Sequence, residues 1–311
     1  MTGLPDCAPA GDCGLARRQL LLGAAAMMLA SCGHRPLGRI LDLGDLEQRH
    51  GGRLGIAVTD SATGRTLGWR ANERFAYCST FKLFLAAATL ERVQRGQEQL
   101  QRPVAITAAD VVPHAPVTGP AVGRTLTIRE LCKGTVEVSD NPAANILIRE
   151  LGGLGAFRSW YAALGDRVTR VDRLEPELNS ALPGDARDTT TPAQAVADLA
   201  LLFGRRQLRE DLQTLLLRWL IDSPTGVNRI KAAAPAGSIV AHKTGTSDSG
   251  PINDIGVVWP AGARSPLFVA AYFTESRLPT VAAREAVLAD GVRRAVAALA
   301  SEPRGVVSAL T

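Results

Sequence analysis

The spacing of apolar and polar positions divides the chain into β-rich and helical stretches. The first two β-rich runs are separated by a short turn that contains a glycine, which predicts a hairpin. From Ser79 to about Leu220 the apolar residues follow a helical period, with interrupting loops. Three further β-rich runs come after this block. The five runs span residues 52–60, 65–70, 238–246, 253–260 and 265–274.

Helices are predicted at both ends of this pattern. Residues 33–50 form a helical lead-in, and residues 281–300 form a last amphipathic helix. Inside the helical block, one helix carries clear boundary signals. Thr191 is its expected N-cap, Pro192 occupies the first helical position and Gly204 follows its end.

This order predicts an α/β (α+β) fold. Five strands with helices at both chain ends indicate a mostly antiparallel sheet covered by the terminal helices. The helical block is then an inserted all-α domain at 78–220, and the sheet domain comprises 33–77 and 221–311. Clefts form readily between two such regions, so we expect the active site there.

Composition and charge exclude some classes of function. The 311 residues are 46% hydrophobic and 21% charged, a balance typical of a globular enzyme or binding domain. The net charge is +5, and no block of lysine or arginine concentrates it. A basic exterior exposed to solvent explains this excess, and no nucleic-acid partner is expected.

The first 32 residues have the features of an export leader. Arg17 and Arg18 precede an apolar run at 20–30, which is too short to span a membrane and resembles a secretory signal. The following Leu-Ala-Ser-Cys resembles a bacterial lipobox, which implies cleavage before Cys32 and a lipid on its sulfur. A plain signal peptide with a chance cysteine is the alternative. The paired arginines indicate twin-arginine export to the periplasm.

Three short motifs contain candidate catalytic groups, and each is also common in ordinary structural contexts. Ser79 and Lys82 lie three residues apart, so they share a helical face, where a desolvated amine can accept the serine proton. The second motif, at 139–141, is Ser-Asp-Asn, which alone indicates a capped helix start. The third, Lys-Thr-Gly at 243–245, ends an apolar strand, where glycine permits close approach of a ligand.

Together and in this order, the three motifs resemble those of the serine penicillin-recognising enzymes. The later stretch RLEPELN resembles the class A β-lactamases, with Glu175 as the base for hydrolysis and Asn179 helping to hold the water. The resemblance covers roughly residues 40–300. It implies hydrolysis of penicillins and cephalosporins through a serine acyl-enzyme, and hence antibiotic resistance.

The resemblance also implies catalytic roles. Ser79 is the expected nucleophile, and its N–H with that of Thr246 forms the oxyanion hole. Lys82 and Glu175 are both candidates for the acylation base, and the choice stays open at this point. Ser139 is expected to relay a proton to the β-lactam nitrogen.

Further residues are implied to bind substrate. The family's carboxylate-binding arginine is replaced here by Ile252, and Arg229, from an earlier loop, is expected to take its role. His114 matches an aromatic position at the cleft entrance, and Asn141 is expected to contact the acylamino side chain. The carboxylate and strand-edge contacts are assigned to Lys243, Thr244, Gly245 and Thr246.

The segment around Glu175 resembles the omega loop of the family, here 173–188. Arg173 and Asp188 match the ion pair that closes the neck of that loop. The resemblance also implies a cis peptide bond between Glu175 and Pro176, which is uncommon for X–Pro bonds in general.

Two cysteines, Cys78 and Cys132, remain inside the expected fold, and the residues alone leave open whether they pair. The family contains two disulfides that use these positions with other partners. Those partner positions are Ser247 and Ala86 here, so the resemblance implies that both thiols are free.

Other chemistries are disfavoured. No histidine cluster with metal-ligand spacing and no G-x-S-x-G elbow occurs, so neither a zinc site nor an α/β-hydrolase is predicted, and no cofactor is expected. A peptidoglycan DD-peptidase and a β-lactam sensor are the alternatives, and Glu175 and Asn179 argue against both. A monomer with a β-lactam substrate is expected.

Overall fold

The computed structural model describes residues 41–205, 207–247 and 250–301, and these all belong to one compact unit. The expected leader, with the lipidation site at Cys32, lies outside the described residues.

Helices and strands follow one another in the predicted order. The helices are α1 Gly44–His50, α2 Phe81–Gln94, α3 Ile128–Glu137, α4 Asn141–Leu151, α5 Gly153–Ala163, α6 Pro192–Leu199, α7 Glu210–Asp222, α8 Ile230–Ala233 and α9 Val281–Ser301. The strands are β1 Gly51–Asp60, β2 Thr66–Trp69, β3 Phe75–Ala76, β4 Pro103–Ala105, β5 Thr125–Thr127, β6 Thr189–Thr190, β7 Ile239–Thr246, β8 Ile252–Trp259 and β9 Leu267–Ser276.

The predicted five-stranded antiparallel sheet is confirmed. Its strand order is β2-β1-β9-β8-β7, and every neighbouring pair is antiparallel. The hairpin of β1 and β2 has the register Thr59 opposite Thr66, and their hydroxyls lie 2.8 Å apart. The first two strands form one edge of the sheet, with β2 outermost. After the helical block the chain returns to build the other edge and then the centre, so β7 is an edge strand and β9 is the middle strand.

Both faces of the sheet are covered. On one face, α1 and α9 bury residues such as Leu46, Val58 and Leu288. On the other, the helical block packs around α2, which is buried at every position from Phe81 to Glu91. A helix that is apolar all round belongs in an interior, so α2 provides a rigid base for the residues at its start.

Some local elements differ from the sequence prediction. The block predicted as all-α contains a ribbon in which β4 pairs with β5, because Thr125 and Thr127 are β-branched and Pro103 is tolerated on an edge strand. In the described part of the predicted lead-in, which starts at residue 41, the helix begins at Gly44, whose N–H donates to Asp42 Oδ1. Thr191 caps α6 as predicted, whereas Gly204 ends a π turn that extends this helix.

Two buried carboxyl groups, one before the omega loop in the chain and one after it, lie close together. Asp166 is 3% exposed and Asp198 on α6 is 1% exposed, and the two side chains are within hydrogen-bonding reach. Asp166 Oδ1 accepts from the N–H groups of Val168 and Thr169, but its Oδ2 is buried with no donor among the described residues. Burial, followed by the charge of Asp166, raises the pKa of Asp198 well above its usual value. A proton on Asp198 therefore supplies the missing donor.

We expect the substitution Asp198→Asn to stabilise the protein increasingly as the pH rises from 5 to 8. The unfolded carboxyl ionises near its ordinary pKa, while the folded one stays protonated, so the wild type loses stability over this range. An amide keeps the donor at every pH, and the expected gain at pH 8 is about 1–3 kcal/mol. Urea unfolding at several pH values measures it, with Asp222→Asn at an exposed site as control. A gain that is independent of pH would contradict the shared proton.

Candidate active site

Ser79 and Lys82 lie together at the start of α2. Ser79 belongs to a 3₁₀ turn, Cys78–Thr80, that leads into the helix, and its side chain is 8% exposed. Lys82 is fully buried and its Nζ donates to Ser79 Oγ at 3.0 Å. The pairing predicted from their spacing is therefore present, and the amine does not extend to solvent.

Polar groups surround the Lys82 amine. Its Nζ also donates to the Ser139 carbonyl at 2.8 Å and to Asn141 Oδ1 at 2.5 Å, and it lies 2.9 Å from Glu175 Oε1. Burial lowers the pKa of Lys82, and the neighbouring Glu175 opposes this change. The amine is thus held by acceptors on every side but is easier to deprotonate than an exposed lysine.

The Ser-Asp-Asn loop is held by its central residue. Asp140 is the N-cap of α4 and accepts hydrogen bonds from Ala143 N, from Val117 N and from the N–H and hydroxyl of Thr118. Ser139 has φ of 60°, a conformation that non-glycine residues seldom adopt. Its hydroxyl lies 3.3 Å from Lys82 Nζ, so the flanking residues of the motif face the amine while Asp140 anchors the loop.

Glu175 lies against Ser79, although 96 residues separate them in the chain. Ser79 Oγ donates to Glu175 Oε1 at 3.3 Å, and Asn179 Nδ2 donates to Oε2 at 2.5 Å. The amide of Asn145 bonds both the N–H and the carbonyl of Glu175. Sequence analysis missed Asn145, but its spacing of four residues from Asn141 on α4 was a usable signal, since such residues share a face.

The neck of the omega loop is closed by an ion pair. Arg173 Nε lies 2.6 Å from Asp188 Oδ2, and Arg173 Nη1 donates to Ser180 Oγ. Asp188 is fully buried and also accepts from Tyr77 Oη. The bond between Glu175 and the next proline is cis, as expected.

Strand β7 forms the opposite wall. Lys243 is fully buried, and its Nζ donates to Ser139 Oγ at 3.1 Å. Burial, and then the charge of Lys82, lowers the pKa of Lys243 well below its usual value. A Cβ at Gly245 would lie 2.6 Å from the Tyr77 carbonyl oxygen, so glycine is needed for β7 to approach the turn that carries Ser79.

Arg229 lies behind the end of β7 and is 4% exposed. Its Nη1 donates to the Gly245 and Asn253 carbonyls, its Nη2 to Thr246 Oγ1, and its Nε lies 2.9 Å from Glu285 Oε1. Ile252, which occupies the position of the family's carboxylate-binding arginine, is fully buried. Among the residues that the structure describes, Arg229 is the arginine that lines this end of the cleft.

These groups open into one cavity of about 630 Å³. His114 lies at its edge with φ of 64°, and its Nε2 is 2.8 Å from the Val138 carbonyl oxygen. Thr225, which the sequence analysis did not select, lines the cavity and shares a hydrogen bond with Thr244. The lining residues assigned from the sequence are Ser79, His114, Ser139, Asn141, Asn179, Arg229, Thr244 and Thr246.

The two internal cysteines are free, as predicted. Cys78 precedes Ser79 and Cys132 lies on α3, and neither side chain is exposed. Burial raises the pKa of both thiols to about 12.

The described residues contain neither a metal-binding cluster nor a membrane-spanning helix. In the part of the chain that the structure describes, no group of three or more His, Cys, Asp or Glu side chains could hold a metal ion. Across residues 41–205, 207–247 and 250–301, none of the helices combines the length and apolarity needed to cross a bilayer.

Comparison with known proteins gives consistent matches. The family model described as the β-lactamase enzyme family matches residues 40–299. β-Lactamase CTX-M-8 of Citrobacter amalonaticus is 41% identical over 255 residues, which is 80% of this chain and 87% of that protein.

Solved structures match over a similar range. An ancestral (GNCA) class A β-lactamase superposes with a TM-score of 0.79 at 48% identity, covering 82% of this chain and 98% of that one. A β-lactamase from Xanthomonas campestris gives a TM-score of 0.78 at 41% identity, covering 83% and 95%.

Proposed function

Because the chain belongs to the β-lactamase enzyme family, and within it to class A, we propose that its cleft opens β-lactam rings with Ser79 as nucleophile and Glu175 as hydrolytic base. The protein hydrolyses penicillins and cephalosporins, and this activity confers resistance to them. One observation carries the residue assignment: a buried carboxylate, Glu175, lies 3.3 Å from the Ser79 hydroxyl.

In the acylation step, Ser79 Oγ attacks the β-lactam carbonyl carbon. Two groups can accept its proton, since Lys82 Nζ is 3.0 Å and Glu175 Oε1 is 3.3 Å from the hydroxyl. The lowered pKa of Lys82 favours its amine as the acylation base. The hydrogen bond that Ser79 donates to Glu175 favours the carboxylate in that role. The N–H groups of Ser79 and Thr246 stabilise the oxyanion.

Opening of the ring requires a proton on the β-lactam nitrogen. The Ser139 hydroxyl lies between two amines, 3.3 Å from Lys82 Nζ and 3.1 Å from Lys243 Nζ. A hydroxyl in this position can give its proton to the nitrogen and be reprotonated from Lys82, so Ser139 acts as the relay.

Hydrolysis of the acyl-enzyme requires a base for water. Glu175 is held at both oxygens and at its backbone, which leaves it little freedom to move from the ester. It takes a proton from water as the water attacks the ester carbonyl carbon, and Asn179 helps to orient that water. The bond from that carbon to Ser79 Oγ then breaks, and Glu175 returns the proton to Ser79 Oγ, which lies 3.3 Å away. A penicillin-binding protein or a β-lactam sensor would instead stay acylated by the β-lactam.

The ends of the cleft bind the rest of the substrate. The wall that receives the substrate carboxylate consists of Lys243, Thr244, Gly245 and Thr246. Arg229 adds positive charge behind that wall and orients the hydroxyl of Thr246. Asn141 contacts the acylamino group, and the His114 ring borders the entrance.

The location of the enzyme is part of the proposal. The paired arginines, the short apolar run and the Leu-Ala-Ser-Cys sequence support export to the periplasm and a lipid anchor at Cys32. The enzyme acts there as a monomer.

A chromogenic cephalosporin tests the function directly. We expect the purified full chain to turn over many equivalents, because the geometry provides for acylation and hydrolysis at one site. Absorbance is followed with the cephalosporin in at least 100-fold excess. A burst of one equivalent that then stops would identify a DD-peptidase or sensor and refute the proposed hydrolysis.

A further inference from the structure

Two charged side chains line the cavity, one on each side of it. Among the described lining residues these are Arg229 and Glu177. Arg229 is buried and paired with Glu285. The Lys243 amine lies near enough to interact with Arg229, and the positive charge of Arg229 makes this end of the cleft attract an anion.

Glu177 is the acidic residue of the opposite wall. It opens the 3₁₀ turn Glu177–Ser180 of the omega loop, and its side chain is exposed to the cavity. Across the described ranges, no ion pair or hydrogen bond engages its carboxylate. Its neighbours in this turn are engaged: Asn179 donates to Glu175, and Ser180 accepts from Arg173.

The two walls meet at the end of β7. Ser247 Oγ donates to the Asn179 carbonyl oxygen at 2.5 Å, which ties the strand to the omega loop. A substrate that directs its carboxylate to Lys243 and its carbonyl to Ser79 directs its acylamino side chain away from the cationic end, past Asn141. That side chain therefore extends toward the wall that carries Glu177.

From this polarity we infer that Glu177 determines specificity, favouring β-lactams whose acylamino side chain carries an ammonium group and disfavouring those that carry a second carboxylate. The inference rests on the proposed function. An unpaired carboxylate inside a cleft attracts cations and repels anions more effectively than one on an open surface, because the cleft walls exclude part of the solvent. Repulsion of the wrong charge contributes to selectivity as much as attraction of the right one.

The test compares three penicillins that differ at one position: benzylpenicillin, its α-amino derivative and its α-carboxy derivative. For the full chain, kcat/KM is measured at pH 6.5, where the substrate amine is protonated. In Glu177→Gln, the amino-to-unsubstituted ratio should fall about threefold, and the carboxy-to-unsubstituted ratio should rise about threefold. Glu177→Asp keeps the charge and should preserve both ratios.

Two controls separate local charge from other effects. Raising the salt concentration from 0.05 to 0.5 M should reduce the wild-type preference and leave the Glu177→Gln ratios unchanged, since exposed charges are screened. Glu210→Gln, which neutralises an exposed carboxylate outside the cavity, should change neither ratio.

The possible failures are distinguishable. If Glu177→Gln hydrolyses benzylpenicillin but retains the wild-type ratios, Glu177 does not determine specificity and the inference is overturned. If the wild type hydrolyses none of the three penicillins, the proposed function itself fails.

Discussion

Replacing Glu175 by glutamine should leave the protein acylated at Ser79 after a single encounter with benzylpenicillin. The amide fills the same buried space between Ser79 and Asn179 but cannot accept a proton from water. Loss of a positioned base slows a step by about 100- to 10,000-fold, so hydrolysis of the ester becomes rate-limiting by a wide margin. Intact-mass spectrometry should show one added substrate mass that persists for many minutes.

The same experiment resolves the base of the first step. If the Glu175→Gln adduct forms at the wild-type acylation rate, Lys82 is sufficient as the acylation base. If adduct formation also slows about 100-fold, Glu175 serves in both steps. Ser79→Ala is the control, since it should form no adduct at all. Rapid turnover by Glu175→Gln without any adduct would refute the assignment of Glu175.

Replacing Lys82 by methionine should reduce both activity and stability. The variant loses the donor that Ser79, Ser139 and Asn141 share and leaves Glu175 buried without its counter-ion. Removing one partner of a buried ion pair costs about 3–5 kcal/mol in the free energy of unfolding. Loss of the amine should lower the acylation rate about 100- to 10,000-fold.

A double variant separates the two effects. Lys82→Met combined with Glu175→Gln has no uncompensated charge, so most of the lost stability should return while activity stays absent. Urea unfolding measures the first property, and single-turnover kinetics with benzylpenicillin measure the second. A single variant as stable as the wild type would show that the pair contributes nothing to folding.

The architecture could be predicted from local patterns because most helices and strands are indicated by their own residues. The β-rich run of β1 and the apolar run through α2 depend on neighbours only a few positions apart. The same holds for the N-cap of α6 at Thr191. The ribbon of β4 and β5 was missed because three-residue strands carry too little alternation to stand out.

The site was less accessible to such patterns. The three motifs and Glu175 were identified through a family resemblance, since nothing local indicates that residues 96 positions apart meet at 3.3 Å. Pairings such as that of Arg229 with Glu285 depend on how α9 packs against the face of the sheet, and no short stretch encodes that. Asn145 could have been found from its helical spacing. That Glu177 faces the cleft could be seen only from the three-dimensional shape of the cavity.

The burial of Cys78 has a consequence for inhibitors. A thiol is adjacent to the reactive serine in the chain, yet its side chain has no exposed surface and its pKa is about 12. Electrophiles react with thiolates, and almost none is present at neutral pH. A covalent inhibitor must therefore be directed to the serine. Thiol-reactive oxidants and alkylating agents should leave Cys78 unmodified and the enzyme active.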